Sequence, residues 1–141
     1  MKVGLYAGSF DPWTIGHQDI LDKALHIFDK VVVCVMQNPE KKQNEAGLVQ
    51  GVRSDRVEVV SYEGMLVDAV KKFTAAAVVR GLRSGYDLEK EMTQYHINQD
   101  LGLTVPIVYF AADRDTMHVS SSATRIIRKL KNDPDWSFKR S

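Results

Sequence analysis

Short runs of apolar, β-branched residues alternate along this chain with longer stretches in which apolar positions return every three to four residues. The runs at Lys2–Ala7, Lys30–Met36, Val57–Ser61, Ala76–Val79 and Thr104–Phe110 are nearly continuous in apolar character, which predicts strands covered on both faces. Gly16–Phe28, Met65–Phe73, Asp87–Leu101 and Ser121–Leu130 predict helices, and in the first of them Ile20, Leu21, Ala24 and Ile27 share one face. Strands and helices in this alternation are the sequence sign of βαβ units. The expected fold is therefore α/β and Rossmann-like, a five-stranded parallel sheet with helices on both faces. From Asn38 to Ser54 the chain is polar and aperiodic, with Pro39, Gly47 and Gly51, and predicts a long loop with room for a short helix. Beyond Lys131 a Pro and mixed charges predict a segment that leaves the last helix.

Composition narrows the possibilities further. A length of 141 residues suits one domain, 1–141, and 44% hydrophobic with 26% charged residues is ordinary globular usage. Nineteen basic against eighteen acidic side chains leave a net charge of +1, too little for a general attraction to nucleic acid, so any anion must be met locally. The strongest apolar run, Val31–Met36, falls far short of the roughly 18–20 residues a bilayer crossing needs, so no membrane partner is expected. The apolar start of the chain breaks at Gly8, before a signal-peptide core of about 7–15 residues is complete, which leads to a cytoplasmic expectation. Cys34, alone in an apolar run, has no disulfide partner and reads as a small core residue.

Candidate chemistry gathers where strands end. The first strand runs through Ala7 into Gly8-Ser9-Phe10-Asp11-Pro12-Trp13-Thr14-Ile15-Gly16-His17 and directly into a helix. Gly8 opens the backbone, Ser9 offers a hydroxyl and an N–H, and the helix N-terminus aims unpaired N–H groups at an anion, so a nucleotide phosphate suits this turn. The pattern is neither G-x-G-x-x-G nor G-x-x-x-x-G-K-[ST]. Thr14 and His17, three residues apart, can face one mouth above the strand ends. Near the other end, Ser120, Ser121 and Ser122 stand at the start of a helix, where capping needs one hydroxyl and three can hold terminal phosphate oxygens. After the fourth strand, Arg80 and Arg83 in a glycine-flexed loop suit two separate anionic groups. Asp87, Glu89 and Glu91 favour the next helix's dipole, while Glu91 can also take a ligand hydroxyl and Asp87 can pair with Arg83. Lys41 and Lys42 follow the second strand, where a lysine can neutralise a transferring phosphoryl group. No run of His, Cys or Asp has metal-ligand spacing, so no protein-bound metal is expected.

These motifs resemble those of the T/H-x-G-H nucleotidyltransferases and, within them, the phosphopantetheine adenylyltransferase family. The family's G-[ST]-F-D-P-x-T-x-G-H is matched by Gly8 to His17, its N/S-P-x-K-K by Asn38 to Lys42, its R-G-L-R by Arg80 to Arg83 and its I-S-S-S by Val119 to Ser122. The arginine motif sets this family apart from nicotinamide-mononucleotide adenylyltransferases and cytidylyltransferases better than the first motif does. The resemblance implies adenylyl transfer from ATP to 4′-phosphopantetheine, with Mg²⁺ arriving with ATP and a hexamer of identical subunits. It assigns catalysis to His17 and Lys41. ATP contacts are implied for Ser9, Phe10, His17, Gly81, Leu82, Arg83 and Glu91, and for Thr116-Met117-His118-Val119-Ser120-Ser121-Ser122. Acceptor contacts are implied for Ser9, Lys41, Leu66 and Arg80. Two departures from the family pattern are a shorter 43–55 segment without Glu-Glu-Arg, and Lys90 at a position commonly aromatic. The alternatives are another adenylyl or cytidylyl transferase on this scaffold and a nucleotide-binding regulator that has lost catalysis.

Overall fold

A computed structural model describes residues 1–37, 49–113 and 121–137, with Ser121 and Ser122 described by their backbone alone. The order is β1 (Val3–Gly8), α1 (Ile15–Ala24), β2 (Lys30–Gln37), β3 (Val57–Glu63), α2 (Leu66–Lys72), β4 (Ala77–Leu82), α3 (Gly85–Asp100), β5 (Ile107–Ala111) and α4 (Ser121–Lys131). The strands form one five-stranded sheet in the order β3-β2-β1-β4-β5, and every pairing is parallel. The two faces carry separate cores. Ile20, Leu21 and Ala24 of α1 pack with Tyr6, Val31, Val33, Val35 and Val79 on one side, while Val67 and Val70 of α2 and Tyr95 of α3 pack with Leu5, Val32, Cys34 and Val78 on the other. Helices on both faces explain why the central strands read as unbroken apolar runs. Cys34 is fully buried, and burial pushes its thiol up to about 11.

The boundaries differ from the sequence expectation where local chemistry intervenes. Helix α1 stops at Ala24 instead of continuing to Phe28, and the carbonyls of its exit turn are taken by Arg56, which donates to Leu25 O (2.5 Å), Phe28 O (2.8 Å) and Asp29 O (3.1 Å). That exit lets Phe28 turn inward against Gly4, where an added Cβ would lie 2.9 Å from the ring. Strand β5 begins at Ile107, not Thr104, because Pro106 has no N–H for the ladder and offers only its carbonyl, to Val78 N. Helix α3 starts at Gly85, two residues early, because the Ser84 hydroxyl accepts from Asp87 N as an N-cap.

The largest revision concerns Arg80, Gly81 and Leu82. They do not form a flexible loop after the fourth strand; they are its last three residues, paired with Tyr109, Phe110 and Ala111 of β5. The ladder continues because the neighbouring strand extends as far. Gly81 is needed for packing, since a Cβ there would lie 2.8 Å from Ile20 Cγ1 on α1.

Strand order fixes where a ligand can enter. The chain moves from β1 outward to β2 and β3, then crosses back over the other face to β4 and β5. The crossovers therefore diverge between β1 and β4, and the crevice at the carboxyl ends of those two strands is where open α/β sheets bind ligands. Gly8 ends β1 and Leu82 ends β4, so the first and third sequence motifs meet there.

Candidate functional site

The turn after β1 is built around Phe10. Its backbone is left-handed (φ 45°), a rare state for a residue with a Cβ, and its ring is buried beneath the turn. It meets the rings of Tyr6 (4.9 Å), Trp13 (5.0 Å) and His17 (5.1 Å). A Cβ at Gly8 would lie 3.0 Å from Phe10 Cζ, so Gly8 serves this ring as well as the open backbone expected of it. Phe10 is thus a support under the turn through its side chain, and what it presents upward is backbone.

His17 is the third residue of α1 and part of its cap. The Thr14 hydroxyl accepts from His17 N (3.3 Å), and Thr14 N–H donates to His17 Nδ1 (3.0 Å), so backbone and side chain of the two residues bond reciprocally. This is a capping box with histidine in the place usual for Glu or Gln. An Nδ1 that accepts carries no proton, so the neutral ring holds its proton on Nε2, which is its remaining donor. Burial, and secondarily the Arg83 guanidinium, lower the His17 pKa below the ordinary 6.5, which keeps the ring neutral near pH 7. Trp13 lies against it at 5.4 Å and is anchored by its indole N–H on Gln18 Oε1 (3.2 Å).

The crevice holds two adjoining cavities. The first, about 480 Å³, is lined by the β1 turn, Thr14 and His17 on one side and by Arg83, Asp87 and Lys90 on the other. The second, about 630 Å³, runs between Met36, Met65 and Leu66 and the α3 side chains Gln94, Ile97 and Asn98. Both are lined by Ala7, Gly8, Ser9, Arg80 and Glu91, which form the wall they share. Ser9 is exposed there. Arg80 donates from Nε to both Glu91 oxygens (3.2 and 3.1 Å), from Nη2 to Glu91 Oε1 (2.7 Å) and from Nη1 to Ala7 O (2.8 Å). Arg83 faces Asp87 at 3.6 Å, and Asp87 also accepts from Arg83 N, which is one of the two roles open to that carboxylate in the sequence.

Helix α3 explains itself through these cavities. It has no buried residue, although its periodicity predicts a helix correctly. Asp87, Lys90, Glu91, Gln94, Ile97, Asn98 and Leu101 recur at helical spacing, and all of them line one cavity or the other. Gln94 and Asn98, with Met36, Met65 and Ile97, are cavity residues that sequence reasoning missed, and Lys90 was named there only as a departure from the family pattern. The signal for Gln94 and Asn98 was the polar stripe Asp87, Glu91, Gln94, Asn98 on a helix that must lie against a sheet.

Of the expected site residues, Ser9, Phe10, His17, Gly81, Arg80, Arg83 and Glu91 line the first cavity, and Leu66 lines the second together with Ser9, Arg80 and Glu91. Leu82 ends β4 beside them without lining either cavity. Lys41, Lys42 and the segment Thr116-Met117-His118-Val119-Ser120 lie outside the described residues. Ser121 and Ser122 open α4, as expected of their place after a strand. Lys23 ties the chain just before that segment to α1, donating to Asp19 (2.9 Å), Asp113 (2.9 Å) and Ala111 O (2.6 Å).

Comparison with known proteins agrees with this geometry. Residues 5–127 match the cytidylyltransferase-like family. A phosphopantetheine adenylyltransferase of Chloroflexus aurantiacus is 38% identical over 95% of this chain and 88% of its own length. One from Clostridium novyi is 36% identical over 89% of this chain and 82% of its own. In fold, the chain is similar to a lipopolysaccharide core biosynthesis protein from Thermoplasma volcanium, with a TM-score of 0.56 at 22% identity over 81% of this chain and 99% of the other. The five-stranded doubly wound sheet, the imidazole-bearing turn and the extent of these matches lead to one conclusion: this chain belongs to the phosphopantetheine adenylyltransferase family of cytidylyltransferase-like proteins.

Proposed function

We propose that this protein is a nucleotidyltransferase that moves the adenylyl group of ATP onto 4′-phosphopantetheine, releasing pyrophosphate and forming dephospho-coenzyme A. The observation that carries the reading is the shared wall: two cavities of different character meet at Ser9, Arg80 and Glu91 beside the His17 turn. A transfer between two phosphates needs one place where both can touch, and the wall supplies it. The nucleotide belongs to the first cavity, between the β1 turn and the Arg83 side of α3. The pantetheine arm suits the second, where Leu66, Met65 and Ile97 give apolar contact and Gln94 and Asn98 can bond its amides.

In this reading an oxygen of the acceptor phosphate attacks the α-phosphorus of ATP in line, the new P–O bond forms, and the bond to the β-phosphate breaks. The protein positions the groups and meets their charge. His17 donates from Nε2 to an α-phosphoryl oxygen, held in that tautomer by Thr14 N–H. Arg80 keeps two of its five N–H donors beyond those given to Glu91 and Ala7, and turns them to the acceptor phosphate. Lys41 adds positive charge at the transferring group, and the serines at the start of α4 hold the leaving end of the triphosphate. Among the described residues, both carboxylates that line the nucleotide cavity, Asp87 and Glu91, face arginines. Magnesium is therefore assigned to the substrate as MgATP, its ligands the phosphates and water. A homo-oligomer, hexameric by resemblance, fits the exposure of Leu88 and Met92 on α3 and of Ile126 and Leu130 on α4. No helix among the described residues is long and apolar enough to cross a membrane.

Pyrophosphate release with ATP or CTP over a panel of acceptors, 4′-phosphopantetheine, nicotinamide mononucleotide and a phosphorylated polyol, tests the reading. The expected result is turnover with ATP and 4′-phosphopantetheine alone. Turnover confined to another pair supports the alternative transferase, and none at all supports the regulator. Replacing His17 by Ala is expected to lower kcat about 10²–10³-fold while ATP still binds, the usual cost of one lost donor to a transition-state oxyanion. Undiminished turnover in that variant refutes the role of His17.

A further inference from the structure

Trp13 lines neither cavity, and in the Gly8–His17 motif it fills a position that the pattern leaves open. Its ring nevertheless touches the imidazole. Phe10, Trp13 and His17 form a closed triangle, with centroids 5.0 Å apart for Phe10 and Trp13, 5.1 Å for Phe10 and His17, and 5.4 Å for Trp13 and His17. All three distances lie in the range of aromatic contact. Tyr6 backs the indole from β1 at 6.0 Å. The indole is also tethered along α1. Its N–H donates to Gln18 Oε1 (3.2 Å), and Gln18 Nε2 donates to Asp22 Oδ1 (3.0 Å), which fixes the way the amide faces. A ring pinned by packing and by its N–H has little freedom of its own, so it can restrain a neighbour.

Resting on the reading above, in which His17 Nε2–H meets an α-phosphoryl oxygen, we propose that Trp13 is a positioning residue that acts through His17, bracing the imidazole so that its Nε2 edge stays turned to the nucleotide. The bond from Thr14 N–H to Nδ1 fixes one atom of the imidazole and leaves the ring free to rock about it. Nε2 lies across the ring from Nδ1, so a small tilt at one becomes a displacement at the other. Phe10 meets the imidazole at 89°, whereas Trp13 is inclined to it by only 36° and opposes tilting out of its plane. A misplacement of about 1 Å can cost 10²-fold in rate, so such a brace serves the chemistry and not the fold alone. The indole also stands where water would otherwise reach the ring, and burial is the first cause of the lowered His17 pKa, ahead of Arg83.

The test measures kcat by pyrophosphate release and ATP affinity by isothermal titration in wild type, Trp13→Ala, Trp13→Phe and Gln18→Leu, each with His17 present and with His17→Ala. Trp13→Ala is expected to lower kcat about ten- to a hundredfold while ATP affinity stays within about twofold of wild type. Trp13→Phe keeps a ring against His17 and should recover most of the loss. Gln18→Leu cuts the tether alone and should cost about two- to fivefold, the factor that goes with one hydrogen bond. In the His17→Ala background, Trp13→Ala should change the residual turnover by less than about twofold, because no imidazole is left to place. An NMR titration of His17 adds a reading that needs no turnover. With the indole gone the imidazole is hydrated, and its pKa should rise toward 6.5 although Arg83 stays in place. Equal losses with and without His17 mean that Trp13 only supports the fold, and they overturn the proposal. An unchanged kcat in Trp13→Ala, or a loss confined to ATP affinity, overturns it too. Should Trp13→Ala not fold, Trp13→Leu, which keeps apolar bulk, takes its place. Wild type without turnover defeats the proposed reaction, and the imidazole titration then decides alone: an unmoved His17 pKa overturns the brace and a raised one sustains it.

Discussion

Replacing Gly81 by Ala should disturb stability and chemistry together. The new Cβ would stand 2.8 Å from Ile20 Cγ1 and 3.0 Å from Cδ1, where carbon atoms rest at about 3.5–4.0 Å. Ile20 is 3% exposed and β-branched, so it has little rotamer freedom with which to retreat, and helix α1 must move off the sheet by several tenths of an ångström. Overpacking of this kind costs about 1–3 kcal/mol. At roughly 2.1 cal/mol/K per residue, 141 residues give an unfolding entropy of about 0.3 kcal/mol/K, so the melting temperature should fall by about 3–10 °C. His17 rides on the first turn of the same helix, and a misplacement of about 1 Å can cost 10²-fold in rate, so kcat should fall by up to that factor. Gly85→Ala is the control: nothing lies within 4 Å of its added methyl at the start of α3, and the change should stabilise by about 0.5–1 kcal/mol. Differential scanning calorimetry and pyrophosphate release on the pair decide the matter. A Gly81→Ala protein that melts and turns over like wild type would refute the packing argument.

Two further outcomes follow from the site's electrostatics and packing. Arg83→Met removes a like charge that helps lower the His17 pKa, so an NMR titration should find the imidazole closer to its ordinary value of 6.5. With its folded pKa below the unfolded one, His17 takes up fewer protons in the folded state. Stability is therefore unaffected above about pH 7 and falls as pH drops from 6.5 through the folded pKa, a loss that Arg83→Met should reduce in urea melts. Tyr109, paired in register with Arg80, has a buried hydroxyl without a hydrogen-bond partner among the described residues. Because an unsatisfied buried group costs about 1–3 kcal/mol, Tyr109→Phe should raise the melting temperature by about 3 °C or more, and a lower value would mean the hydroxyl has a partner.

The doubly wound sheet was legible because strands buried on both faces leave continuous apolar runs, as at Val31–Met36, and because the first three predicted helices each lay between two of them. The Gly8–His17 turn was legible for another reason: glycine, hydroxyl and histidine stood together in sequence, so no tertiary knowledge was needed to bring them together. The wall between the cavities was not legible. Arg80 and Glu91 are eleven positions apart on a strand and a helix, and only the packing of α3 against β4 makes them partners. Gly81 was misread for a similar reason. Its neighbour Ile20 belongs to an element sixty residues earlier, so a glycine demanded by helix approach looked like a glycine demanded by a bend. Gln94 and Asn98 were passed over because helical periodicity alone does not say what a polar stripe faces, and this one looks into a crevice.

The beginning of α1 sets folding preference against chemistry. A glutamate at position 17 would close the reciprocal bond with Thr14 in the form most helices favour and would suit the positive end of the helix dipole. It would also put a negative group where a phosphate is to arrive and take away the imidazole N–H. A search for thermostable variants of this protein should therefore keep rediscovering acidic replacements at His17, robust in a melting assay and inert with substrate, which makes that position a poor one to optimise by stability alone.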